Sequence, residues 1–228
     1  MYPFYFDPSM IILIPALIIA AWAQFNISST FNKYSAVYSS RGYTGKDVTR
    51  MILDAYGLYD ISIEMIGGKL SDHYDPQSRV VRLSRDVYAG TSIAAIGVAA
   101  HEVGHAIQHK EGYVPLKLRS ALVPVANLGS NASWILFILG LIFSFKPLVT
   151  IGIVLFCATV LFQVVTLPVE FNASNRAIAV LDAKGILVGD EVKGARKVLN
   201  AAALTYVASV ITAIAQLLRL IVLSRRND

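Results

Sequence analysis

Long apolar blocks free of Asp, Glu, Lys and Arg alternate with polar stretches along the chain. The blocks run from Pro8 to Asn32 (25 residues), Ser120 to Phe145 (26), Pro147 to Val169 (23) and Val198 to Leu218 (21). A helix needs about 20 mainly apolar residues to cross the hydrocarbon core, so each block predicts a membrane helix. The first has a strictly apolar core only from Met10 to Ala23, preceded by Tyr2, Phe4, Tyr5 and Phe6, which read as an interfacial aromatic belt. The second opens weakly on Asn127, Ser130 and Asn131 and strengthens from Trp134 to Phe145. The third, Leu148 to Leu167, is the clearest. The fourth carries Ala, Thr and Ser and ends beside Arg219. The stretch before the first block has no Lys or Arg and contains Asp7, the reverse of a signal peptide's basic start. That block therefore reads as a retained anchor.

The polar stretch from 33 to 119 has its own punctuation. Thr44-x-x-Asp47 predicts a capping box opening a helix to about Tyr56, stopped by Gly57. Asp60 to Ile66 predicts a strand ended by Gly67-Gly68, Asp75-Pro76 a turn, and Arg79 to Ser84 a second strand. An exposed edge on that second strand could hold an extended peptide; an internal position in a hairpin is the plain alternative. Ser92 to about Lys110 predicts a helix rich in small residues, with Glu111-Gly112 as its stop and Pro115 beyond.

Composition sharpens this picture. Apolar residues make up 55% of the 228 and charged residues 15%, against about a quarter charged in ordinary soluble domains. That excludes a disordered chain, a coiled coil and a nucleic-acid-binding basic domain. One cysteine, Cys157, excludes a disulfide framework and a cysteine zinc cluster. The net charge of +5 matters through its placement: eleven Lys and Arg lie in 33–119 and five in 170–197, against Lys146 alone between the second and third blocks. Cytoplasmic loops carry the Lys/Arg excess. Both polar segments are therefore expected in the cytoplasm of a multi-pass cell-membrane protein with its N-terminus outside. Arg225 and Arg226 run against this if the last helix crosses. Either the bias is overridden there or that helix packs along the bundle without crossing fully.

The chemistry concentrates in His101-Glu102-Val103-Gly104-His105. Two histidines at i and i+4 share a helix face and can reach one zinc ion, and Glu102 beside them can take a proton from water. Four His and five Glu in 228 residues give roughly 0.002 chance matches to this motif. Ile93 to Ala100 makes the helix apolar around most of its circumference, hence buried, and a metal compensates buried polar groups. The third ligand must come from elsewhere. His109 lies about 12 Å along the helix axis from His101, too far to join both others. Glu170, the first charge after a long apolar block, is the sharper candidate. Two blocks separate it from His105, so the chain leaves and returns to the same membrane face. An interfacial or salt-bridged carboxylate is its alternative role. His73 is the runner-up ligand. His73, Tyr74 and Arg176 could orient substrate or stabilise an oxyanion, although Arg176 could equally pair with a carboxylate such as Asp182.

The stretches His73-Tyr74-Asp75-Pro76, Val81-Arg82-Leu83-Ser84, Val98 to Gln108 and Pro168 to Ser174 resemble the YugP-like membrane zinc metallopeptidases of bacteria over nearly the whole chain. More remotely, the chain is similar to the HtpX-like proteases of the gluzincin group. There H-E-x-x-H is followed by two spans and a Glu ligand in an E-x-x-A-D type motif. Glu170 matches that ligand, and Ser174 stands where the remote group has Asp. The resemblance implies one zinc ion and endopeptidase chemistry on membrane-associated or misfolded proteins.

The expected fold is mainly α, with three to four transmembrane helices and a small α+β zinc-metallopeptidase subdomain. The segments are an anchor at 8–32, a catalytic subdomain at 33–119, a helical hairpin at 120–169, a third-ligand helix and connection at 170–197, and a crossing or membrane-packed helix at 198–224. Expected partners are a protein or peptide substrate and the lipid bilayer, with no nucleic acid; Gly97, Gly104 and Ala201 to Ala203 would permit close helix contacts, and a homo-oligomer or a regulatory membrane partner is compatible. A zinc-dependent membrane protease is the first functional expectation. A non-catalytic scaffold with a closed structural zinc, recruiting His73 as fourth ligand, is the second. A transporter is disfavoured, because the blocks hold almost no ionisable residues.

Overall fold

The computed structural model describes residues 8–68 and 71–226; the aromatic residues at 2–6 and Asp7 lie outside that range. Seven α-helices and a three-stranded sheet follow in the order α1 (Leu13–Ser35), α2 (Gly45–Ala55), β1 (Ser62–Ile66), β2 (His73–Asp75), β3 (Val80–Ser84), α3 (Arg85–Tyr88), α4 (Ile93–Lys110), α5 (Val114–Ile142), α6 (Lys146–Ala183) and α7 (Asp190–Arg226). A 3-10 turn, Pro8–Ile12, leads into α1. Four helical stretches among the described residues are long and apolar enough to cross a membrane, the shortest having 28 residues. At 1.5 Å per residue that is about 42 Å, longer than the hydrocarbon core.

Two compact units divide the chain. One comprises the described residues through Gln24, then Lys117–Leu167, then those from Thr205 onward. Its helices pack through Phe137, Val149, Phe156 and Leu220, with a second cluster of Leu13, Ala16 and Ala215. The α5–α6 hairpin closes tightly because a Cβ at Gly152 would stand 2.8 Å from the Ser133 carbonyl oxygen. Arg219 donates from Nε to Ser9 Oγ at 3.2 Å, which gives this charge a polar partner inside its own unit.

The other unit, Phe25–Leu116 with Pro168–Leu204, is built around α4. The capping box forms as the sequence suggests: Asp47 N donates to Thr44 Oγ1 at 3.2 Å, and Thr44 N to Asp47 Oδ2 at 3.0 Å. Val48, Ile52 and Leu53 turn the buried face of α2 onto Ile96, Ala100 and Val103 of α4. Ser92 caps α4 by accepting from Ala95 N. From the other side come Ala177, Ile178 and Leu181 of α6 and Ala195 and Leu199 of α7. An apolar helix thus lies at the centre of its unit, as its composition required.

The sheet departs from expectation. Its order is β1-β3-β2, with β1 parallel and β2 antiparallel to β3. Val80–Ser84 is therefore the central strand and cannot offer a free edge; the edges belong to β1 and β2. The strand at His73–Asp75 replaces what read as the flank of a turn. Arg82 of β3 reaches both neighbours, at 3.1 Å to Glu64 of β1 and 2.9 Å to Asp75 of β2. Asp72 fastens the start of β2 by accepting from Ser84 N at 2.7 Å and Ser84 Oγ at 3.0 Å. The third apolar block and the Glu170 segment also form one continuous helix, α6, which runs through Pro168 without ending.

Candidate metal centre

Successive residues of an α-helix turn by about 100°, so His101 and His105 leave α4 on one side while Glu102 faces another. The two imidazoles meet nearly at right angles, with ring centroids 4.7 Å apart. From α6, Glu170 brings Oε2 to 3.3 Å from His101 Nε2 and 3.7 Å from His105 Nε2. One donor atom from each residue lies within 4.8 Å of the others, and this is the group of three or more potential metal ligands found among the described residues. Glu170 is 3% exposed. A close helix crossing makes the approach feasible: a Cβ added to Gly104 would lie 2.7 Å from the Ala173 carbonyl oxygen.

Each histidine has a partner on its other ring nitrogen. His101 Nδ1 lies 3.1 Å from Ser174 Oγ, and His105 Nδ1 lies 3.0 Å from Gln108 Oε1. Both imidazoles thus keep Nε2 for the side facing Glu170. On the adjoining face of α4, Glu102 Oε2 accepts from the main-chain N–H of Tyr74 at 3.1 Å. That N–H points away from β3, on the outer edge of β2.

The remaining candidates sit elsewhere. His73 places Nδ1 2.8 Å from the Ser71 carbonyl oxygen and Nε2 3.5 Å from Arg82 Nη1, outside the donor group. Tyr74 directs its hydroxyl to His109 Nδ1 at 2.9 Å; burial pushes its phenol up from the ordinary range. Arg176 pairs with Glu111 at 2.7 Å rather than with Asp182, and donates from Nε to Asn172 Oδ1 at 2.7 Å. Gln108 and Asn172 escaped the sequence reading. The available signal was an amide three residues beyond His105 on a helix otherwise apolar enough to be buried.

Two imidazoles and a carboxylate on two helices form the donor set of zinc hydrolases that keep a coordination position open. Residues 9–225 match a family described as "Putative neutral zinc metallopeptidase", and the chain belongs to it. It is 50% identical over 210 residues to "Putative membrane protease YugP" of Bacillus subtilis (strain 168), covering 92% of this chain and 93% of that protein. No solved structure matches the chain. The family implies zinc, and the residues present fit it. Ligand atoms about 2.0–2.2 Å from a tetrahedral ion stand about 3.3–3.6 Å from one another, and the Glu170 to His101 and His105 separations of 3.3 and 3.7 Å are close to that.

Proposed function

We propose that this membrane metallopeptidase is an endopeptidase in which His101, His105 and Glu170 hold one zinc ion and Glu102 is the general base. The observation that carries the proposal is the convergence of three donor atoms within 4.8 Å, with a carboxylate on the adjoining face of the same helix. The ion, when bound, polarises the scissile carbonyl and acidifies water. Glu102 accepts the proton of the attacking water and delivers it to the leaving amine. Its carboxylate is held toward the outer edge of β2 by the Tyr74 N–H. An extended substrate adding to that edge, in the manner of strand addition, would take the Tyr74 N–H from Glu102 and run past the base. Because Val80–Ser84 is internal, the edge that an extended peptide could join is that of His73–Asp75. Of the three candidate substrate or oxyanion residues, Tyr74 is the one beside the base; His73 and Arg176 are engaged with Arg82 and Glu111.

The substrate class is membrane-associated or misfolded protein, and the catalytic segments, 33–119 and 170–197, face the cytoplasm. The Lys/Arg excess in those segments supports the orientation. The test is cleavage of an unfolded, membrane-anchored reporter protein in vesicles containing the purified chain. Wild type should cleave it and a zinc chelator should stop it. Glu102→Gln should reduce cleavage by about 10²–10⁴-fold. A clean Glu102→Gln preparation that cleaves at the wild-type rate refutes the proposal.

A further inference from the structure

Gln108 is fully buried, three residues past His105 on the same face of α4. Besides facing His105, its Nε2 donates to the Val169 carbonyl oxygen at 2.8 Å and to Asn172 Oδ1 at 2.9 Å. These partners decide which end of the amide is which. A carbonyl oxygen only accepts, so the NH2 group must face Val169. Asn172 is fixed in turn, because its Oδ1 also receives the Arg176 Nε–H, a pure donor. The Gln108 oxygen is therefore the end facing His105, at 3.0 Å from Nδ1, and it too can only accept. His105 must carry its proton on Nδ1 and leave Nε2 bare toward Glu170. The same amide ties the residue preceding Glu170 to the helix that carries the histidines.

We propose that Gln108 is the positioning residue of the metal centre, its one amide clamping the His105 imidazole and the α6 turn that carries Glu170 into a single hydrogen-bonded unit. Gln108 touches neither ion nor substrate; it sets the tautomer and the separation of two ligands. The inference rests on the proposed assignment of His101, His105 and Glu170 as metal ligands.

Zinc affinity of the full chain in detergent, measured by competition with a chromophoric chelator, tests this. Gln108→Met fills the space without either hydrogen bond and should weaken zinc binding about 10–100-fold, as loss of an outer partner of a ligand does. It should also alter the visible absorption of the cobalt-substituted protein. A residue that only fills the core would change the melting of the metal-free protein and leave the affinity and cobalt spectrum of the folded chain untouched; that result overturns the inference. Should Gln108→Met fail to fold, ¹⁵N spectra of the histidine-labelled, metal-free wild type decide: Nδ1–H with bare Nε2 at His105 upholds the clamp, and the opposite tautomer overturns it. A wild-type chain without zinc affinity would instead defeat the ligand assignment, and this inference with it.

Discussion

Gly104 and Ala173 are the point where the two ligand-bearing helices touch: a Cβ on Gly104 would come within 2.7 Å of the Ala173 carbonyl oxygen and 3.2 Å of its Cα. The neighbour is backbone, which cannot swing aside. Gly104→Ala should therefore push α4 from α6, with an overpacking cost of about 1–3 kcal/mol. It should also weaken zinc binding, because Glu170 lies three residues before Ala173 and His105 one after Gly104. Thermal melting and chelator competition would report both changes. A variant with wild-type melting and affinity would mean that the contact does not set the ligand spacing.

Ser174 Oγ sits 3.1 Å from His101 Nδ1. Ser174→Ala removes that partner and should weaken zinc binding about tenfold, at the lower end of the range for outer-shell losses. Ser174→Asp, with a carboxylate in the same place, should match or exceed wild-type affinity. Chelator competition on the three proteins would separate these outcomes. Equal affinity in all three would deny Ser174 any influence on the imidazole.

Asp72 lies outside the apolar blocks. Burial raises its carboxyl pKa above the ordinary 3.8, although Ser84 N and Oγ donate to it. A folded-state pKa raised in this way contributes stability that is fully present below the unfolded pKa and is lost as pH rises through the folded value. Asp72→Asn does not titrate. Its stability relative to wild type should therefore improve on going from about pH 4 to pH 7. Unfolding curves across that interval provide the check, and parallel pH profiles would show that Asp72 is not penalised by burial.

Tyr74 contacts the site through its backbone, while its hydroxyl belongs to His109. Tyr74→Phe keeps the N–H that faces Glu102. A part-exposed hydrogen bond contributes about 1 kcal/mol or less, so cleavage of the reporter should fall by less than about fivefold. A loss of a hundredfold or more would move the hydroxyl into the reaction.

Much of this was legible in the sequence because the signals were local. The capping box at Thr44 and Asp47, the end of α2 at Gly57, the buried helix from Ser92 to Lys110 and the four apolar blocks each rest on residues close together in the chain. The sheet did not yield in the same way. His73-Tyr74-Asp75 is three residues long, polar, and followed by Pro76, so no alternating pattern marks β2. It is a strand because Asp72, Arg82 and Glu102 receive it, and those contacts join distant parts of the chain. The hairpin at 120–169 and the third-ligand segment at 170–197 read as separate, yet α6 runs through Pro168 and joins them. The partner of Arg176 was missed because Glu111 lies 65 positions away, whereas Asp182 was near at hand.

The ligand set itself is tested most directly by zinc content and X-ray absorption of the purified full-length protein beside Glu170→Ala. Wild type should hold one zinc per chain, with two imidazole nitrogens and carboxylate oxygen in its shell, and Glu170→Ala should lose the carboxylate and most of the bound metal. A full zinc complement with an unchanged shell in Glu170→Ala would contradict the assignment of Glu170 as the third ligand.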